Sequence, residues 1–343
     1  MADMSQNPDG SVRDAWTVTR SFEIYVDFLA KQADFDFLKS LGFNQLISNN
    51  DPTAIAAAAN GFSIVLSNWW NTNTTWVDVE KALRFAGKFN DLISINMMDE
   101  PTMYGLSLHP PDLYLELRRK IRDSDNDQPL SLTMYGPQPE WPACWGRIFL
   151  DYLEAVDILR IATYPVVGGR PLRVVADWIN LARSMMMNVF GREIPLTVVL
   201  QAWDLTDGGL PTMEELRVMA YMALFSGADV LSFFDYNPEA WSKTPGFTAG
   251  FTRLMAELVD LSREFAGAAV HPIIGGDDLF QVEIDQDGDY TCMSVNTLYR
   301  ENGFLAPLQI VRERGRCARP SMKVDANESL RLPIRKPDVL MIN

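Results

Sequence analysis

Short apolar runs alternate with stretches of helical spacing along most of this chain. Eight runs read as buried strands: Phe22–Phe28, Asn44–Asn49, Phe62–Asn68, Leu92–Asp99, Leu130–Tyr135, Val156–Tyr164, Leu196–Trp203 and Asp229–Tyr236. Between them, Thr75–Lys88, Pro111–Asp123, Pro171–Met187 and Thr212–Phe225 carry apolar residues at helical period. The strand starts recur at roughly the 30-residue pitch of a strand–helix unit. Such alternation predicts a parallel sheet. Eight units predict closure, giving the α/β class and a (β/α)8 TIM barrel. Phe251–Ala266 predicts a closing helix. From about Pro272 the pattern shortens: Leu279–Ile284, Tyr290–Thr297, Leu308–Arg314 and Ser329–Leu332 read as strands, with Asp287-Gly288 as a hairpin turn. The expected organisation is a polar arm over 1–20, a barrel over 21–268 and a small C-terminal β appendage over 269–343.

The strand over Leu92–Asp99 ends in Asp99, Glu100 and Pro101. Proline cannot donate to a sheet ladder, so pairing should stop there. Alternation places Ser94, Asn96, Met98 and Glu100 on one face, toward the barrel interior, and Ile93, Ile95, Met97 and Asp99 on the helix side. Carboxylates at the C-terminal tip of a barrel strand stand where such folds keep their chemistry. The bland reading of this pair is a turn cap and a solvated glutamate.

The other tips collect polar and aromatic groups as well. They include Asp27, Asn68-Trp69-Trp70, Tyr135, Tyr164, Gln201-Ala202-Trp203-Asp204 and Asp235-Tyr236. On the last strand, alternation turns Asp235 toward the helices with Phe233 and Leu231, and Tyr236 inward with Ser232 and Phe234. Arg160 falls inside the sixth strand. A buried arginine needs a carboxylate, and Glu23 is the expected partner. Gly208-Gly209 lacks a basic neighbour and reads as a plain turn rather than a phosphate nest.

Composition narrows the chemistry. The 343 residues carry a net charge of −15, which disfavours nucleic acid and anionic membranes as partners. No run of about 18 apolar residues exists to span a membrane. The polar start lacks an apolar signal core, so export by a standard signal is not expected. Only two histidines are present, His109 and His271, and both precede prolines. They disfavour histidine-based metal sites and a Ser-His-Asp triad, and nothing calls for a cofactor. Cys144, Cys292 and Cys317 are few, odd in number and widely spaced, fitting neither a disulfide framework nor a zinc cluster. No lysine stands at a strand tip, which disfavours Schiff-base chemistry. A barrel acting on phosphorylated metabolites would want a more basic rim.

Glycosidic cleavage fits this inventory. It needs one carboxylic acid to protonate the leaving oxygen and a second carboxylate as nucleophile or as base for water. Tryptophan and tyrosine supply stacking faces for a carbohydrate, and asparagine, glutamine and aspartate supply hydrogen bonds. Glu100 is the acid candidate, with Asp27 and Asp235 as further catalytic candidates. Asp99, Asn68, Trp69, Trp70, Tyr135, Tyr164, Gln201, Trp203, Asp204 and Tyr236 are the substrate-binding candidates.

Asp99-Glu100-Pro101 is similar to the Asn-Glu-Pro that ends strand four in the large retaining clan of (β/α)8 glycoside hydrolases, which includes β-galactosidases and cellulase-like enzymes. VDILRIATYPV over Val156–Val166 resembles that clan's sixth strand, and Pro195–Trp203 and Glu214–Tyr236 resemble its last two units. The resemblance covers residues 20–265 in pattern and implies an acid/base role for Glu100. It departs at the seventh strand, where the clan has a nucleophilic glutamate and this chain has Gln201. Three readings follow. Asp27, Asp204 or Asp235 serves as the second carboxylate; or one of them activates water, with inversion; or the barrel binds sugar without cutting it. The last would make the chain a non-catalytic binding or structural subunit of a homo-oligomer or larger assembly. A virus particle, which lysis releases without a signal, is one such assembly.

Overall fold

The computed structural model describes residues 16–17, 21–28, 30–101, 104–136, 149–187, 193–203, 210–273, 279–296, 310–315 and 317. Asp204, Gly208-Gly209, Cys144 and the expected strand Ser329–Leu332 lie outside the described residues.

Eight parallel strands close into a barrel in sequence order: β2 (Ser21–Tyr25), β3 (Gln45–Ser48), β4 (Ser63–Ser67), β5 (Leu92–Asp99), β6 (Leu130–Tyr135), β7 (Ile158–Thr163), β8 (Leu196–Gln201) and β9 (Val230–Phe234). β9 pairs back onto β2, with Ser21 opposite Val230 and Glu23 opposite Ser232. Helices follow the strands: α1 (Gln32–Ser40), α2 (Asp51–Ala59), α3 (Trp76–Ala86), α4 (Pro111–Asp123), α5 (described over 149–153), α6 (Val174–Met185), α7 (Met213–Phe225), α8 (Pro238–Lys243) and α9 (Phe247–Glu264). The chain is therefore a (β/α)8 TIM barrel, as its periodicity predicts.

Local chemistry starts several of these helices. Thr75 accepts from the Asp78 backbone N–H while Asp78 accepts from that of Thr75, and Thr212 and Glu215 form the same reciprocal pair. Asn50 and Asn237 cap α2 and α8 through their side-chain oxygens. Between strands and helices lies one continuous apolar core, built from residues such as Ile24, Leu46, Ile64, Met97, Leu159 and Phe233.

The barrel interior differs in being polar. Arg160 on β7 reaches across to Glu23 on β2; both are buried, at 2% and 0% exposed side chain. Arg160 Nη1 donates to Glu23 Oε2 at 3.0 Å, a second bond joins Nη2 to Oε1, and the Ser232 hydroxyl donates to Oε1 at 2.6 Å. Arg160 Nε donates to Thr133 Oγ1 at 3.3 Å, and Ser94 and Ser131 hydroxyls lie 2.9 Å apart. A parallel ring of eight leaves little space inside, so these side chains fill it and must satisfy one another. Above them Tyr25, Ile47 and Val65 form a small apolar layer, with Ile93 and Phe234 against it.

A second, antiparallel sheet follows in the order β1-β10-β11-β12-β13: β1 (Trp16–Thr17), β10 (Ala269–Ile273), β11 (Leu279–Gln286), β12 (Asp289–Asn296) and β13 (Ile310–Arg314). Its hairpin turns at Asp287 and Gly288, with φ of 56° and 91°, the left-handed pair such a two-residue turn needs. The first strand of this sheet comes from the N-terminal side: Trp16 and Thr17 pair with Val270 and Ala269.

The expectation about the cysteines is corrected. Cys292 and Cys317 form a disulfide, with their Cα atoms 5.0 Å apart. Cys292 lies on β12 opposite Glu283 of β11, and the Cys317 N–H donates to the Glu283 carboxylate at 3.2 Å. Strand pairing, not spacing in sequence, brings the two thiols together.

Candidate active site

Several of the candidate residues stand at or just beyond the C-terminal ends of the strands. β5 carries the two that matter most, and its register shift between Asn96 and Asp99 decides their direction. The extra residue sends both Met97 and Met98 into the helix-side core, where each is fully buried. Asp99 then pairs with Thr133 of β6 and shares its inward face. Strict alternation placed Met98 inside and Asp99 outside; the bulge reverses both.

Asp99 is hydrogen-bonded by the Thr133 side chain and feels the Arg160 charge, yet burial outweighs both and raises its pKa. Glu100 follows with φ of +48°, its N–H donating to the Thr133 carbonyl at 2.7 Å. Its Oε1 is buried and, among the described residues, has no hydrogen-bond partner. Burial, with the Asp99 charge beside it, pushes the Glu100 carboxyl from 4.5 to about 8. It is therefore protonated near neutral pH.

Aromatic groups surround this pair. Tyr164 is raised well above its ordinary value by burial and then by the Glu100 and Asp99 charges. Its ring lies 6.1 Å from Trp203 and 6.5 Å from Tyr135. Phe234 packs 4.8 Å from Tyr25 and 5.7 Å from Trp203. Tyr135 also packs on Trp178, at 5.1 Å. That tryptophan lies so close to Gly136 that a Cβ there would stand 2.1 Å from its ring, so only glycine lets the β6 tip pass.

Trp69 stands half exposed after β4, with Asn68 beneath it, whose N–H donates to the Asn96 carbonyl at 2.8 Å. Tyr104 meets Trp69 edge-on at 5.3 Å and is itself half exposed. Burial and the Glu100 and Asp99 charges raise its pKa. Sequence reasoning missed Tyr104; its signal was an aromatic four residues beyond the strand-ending glutamate.

Two aromatic candidates are corrected. Trp70 is 4% exposed and belongs to the helix-side core, where its carbonyl accepts from the Tyr114 hydroxyl at 2.8 Å. Tyr236 also points outward: its hydroxyl donates to Asp34 of α1 at 3.0 Å and its ring packs 5.2 Å from Trp241. Neither offers a face to the mouth, because the alternation of each strand ends before the residue in question.

At the β8 tip, Gln201 is fully buried. Its Nε2 donates to the Trp203 carbonyl at 3.3 Å, while its Oε1 and the Trp203 Nε1 are buried without partners among the described residues. On the adjoining strand, Asp235 follows Phe234, the partner of Gln201 in the ladder, and feels the Asp27 charge. Burial and then the Asp27 charge raise its pKa from 3.8 to about 6. Tyr236, expected to face inward, turns outward instead. Among the described residues no group of three or more His, Cys, Asp and Glu is placed to hold a metal ion.

No family model and no curated protein sequence matches this chain. Solved structures do. A GH30 endoxylanase from Clostridium papyrosolvens C71 is 12% identical, with a TM-score of 0.52, covering 83% of each chain. A glucosidase from Croceicoccus marinus is 14% identical, with a TM-score of 0.54 over 84% of this chain and 77% of that one. A 4-O-alpha-L-rhamnosyl-beta-D-glucuronidase from Fusarium oxysporum 12S is 12% identical, with a TM-score of 0.55 over 88% and 81%. The chain has a glycoside hydrolase-like (β/α)8 fold.

Proposed function

We propose that this protein cleaves a glycosidic bond, with Glu100 as the general acid. The observation that carries the reading is the Oε1 of that side chain at the tip of β5, buried and, among the described residues, without a hydrogen-bond partner; burial and the Asp99 charge push the carboxyl up to about 8. An acid held protonated near neutrality can pass its proton to a leaving glycosidic oxygen, worth roughly 10²–10⁴-fold in rate. The partly exposed faces of Trp69 and Tyr104 suit sugar stacking. Asn68, Asp99, Gln201 and Trp203 offer hydrogen bonds, and Tyr135 and Tyr164 form the wall between them.

The second reading is a barrel that binds carbohydrate without cutting it. Gln201 favours it, since an amide is no glycosyl nucleophile. Hydrolysis of a panel of aryl glycosides and polysaccharides separates the two. Turnover by wild type that falls at least about 100-fold in Glu100→Gln supports the enzyme. Equal binding by both proteins without turnover supports the binder.

A further inference from the structure

Resting on the carbohydrate reading above, we infer that the ligand is a chain of sugars rather than a single glycoside, and that Trp69 and Tyr104 hold the unit beside the one that meets Glu100. The first argument is which aromatic groups are open. Among the tryptophans, tyrosines and phenylalanines of the described residues, only Trp69 and Tyr104 are exposed, at 46% and 51%. They touch each other, with ring centroids 5.3 Å apart and planes at 77°. Two large rings left open at one spot forgo burial that folding ordinarily secures, which marks a binding surface. Planes near a right angle form a corner, so a flat ring can lie on one face with its edge against the other.

The second argument is how firmly the pair is held. Trp70, next to Trp69, is buried; its N–H donates to the Met97 carbonyl at 3.0 Å and its carbonyl accepts from the Tyr114 hydroxyl of α4 at 2.8 Å. That hydroxyl gives its proton to Trp70, so it accepts from His109, whose Nδ1 lies 2.9 Å away. The Thr72 N–H donates to the Leu108 carbonyl at 3.0 Å, and the N–H groups of Leu108 and His109 turn back onto the Gly105 carbonyl. The Tyr152 hydroxyl of α5 donates to the His109 carbonyl. The segments carrying Trp69 and Tyr104 are thus laced to each other and to α4 and α5. Rings on such a frame have little freedom left to lose when a ligand arrives.

The third argument is the place of the corner relative to the acid. Tyr104 lies four residues beyond Glu100 and feels the Glu100 charge more than that of Asp99, so the corner adjoins the acid. Depth separates the two. Glu100 Oε1 is buried, whereas Trp69 and Tyr104 face solvent. The sugar whose bond breaks must bring its oxygen down to the carboxyl, while a ring on the corner keeps one face in water. Successive units of one chain divide these tasks. A flat aromatic pair also fits the occupant: a pyranose presents apolar C–H groups on its faces and hydroxyls around its edge.

The test uses the full chain. For a sugar turned over in the panel above, wild-type kcat/KM should rise at least about 10-fold from the methyl glycoside of one unit to those of longer chains. In Trp69→Ala and Tyr104→Ala most of that gain should vanish, chiefly through KM. Wild type without a gain overturns the inference, as does a gain of the same size in the folded variants. Affinity electrophoresis needs no turnover. Soluble xylan, β-glucan, mannan or glycol chitin in the gel should retard wild type, and both variants should run free of it. Retardation by none of these overturns the inference, as does sedimentation in which wild type self-associates and Trp69→Ala does not. If wild type hydrolyses nothing yet is retarded and the variants are not, the hydrolytic reading fails and the sugar-chain inference stands, so the two failures are distinct.

Discussion

Asp99 adjoins Glu100 at the end of one strand, and its charge makes the glutamate harder to ionise. Burial is the larger cause and the neighbouring carboxylate the smaller. Asp99→Asn removes only the smaller one. The Glu100 pKa should therefore move down without reaching the ordinary carboxylate range, carrying the basic limb of kcat/KM with it. An unmoved basic limb would show that the titrating acid lies elsewhere.

A working pair needs its acid protonated and its base ionised together. With Glu100 near 8, the first half of that condition fails above this value. The kcat/KM profile should fall along a basic limb near pH 8, as measured by initial rates across pH 4–10 (about six units). Above that limb the acid has lost its proton.

Keeping Glu100 buried has a cost in stability whose sign is fixed. Its folded pKa exceeds the unfolded one, so between 4.5 and about 8 the unfolded chain binds fewer protons and stability falls as pH rises. Below 4.5 the penalty is absent, and above about 8 it is complete. Glu100→Gln should stabilise the protein at pH 7 by on the order of 3 kcal/mol, several degrees in Tm, and by little at pH 4. Thermal unfolding followed by circular dichroism at both pH values checks the difference.

The Glu23–Arg160 pair in the barrel floor should be intolerant of single changes. Arg160→Met leaves Glu23 buried and charged beside Ser232, a loss of about 3–5 kcal/mol in urea unfolding. Replacing both partners by apolar residues of similar volume should recover most of that loss. Equal damage from the single and double variants would mean that packing, rather than charge, holds this layer.

The Cys292–Cys317 bond closes a loop 25 residues long in sequence separation. Reduction should cost about 2–4 kcal/mol of stability in the C-terminal sheet. Limited proteolysis should then cut β12–β13 first, while turnover of a soluble substrate at the barrel mouth stays unchanged.

Much of this was legible in sequence because it is local. The strand β5 (Leu92–Asp99) and the helix α4 (Pro111–Asp123) stand where periodicity placed them, since burial of one face imposes its period on neighbouring residues. The need of Arg160 for a carboxylate followed from burial alone, and Glu23, on one face of its strand with Tyr25 and Asp27, was the partner expected. What the tertiary structure decided is direction. Asp99 faces inward because the ladder to Thr133 slips by a bulge, and Trp70 and Tyr236 turn outward because their strands have already ended. The disulfide exists because β11 and β12 pair. Each of these depends on hydrogen bonds or packing to a segment remote in the chain, and a one-residue slip in such pairing reverses the face of every side chain beyond it.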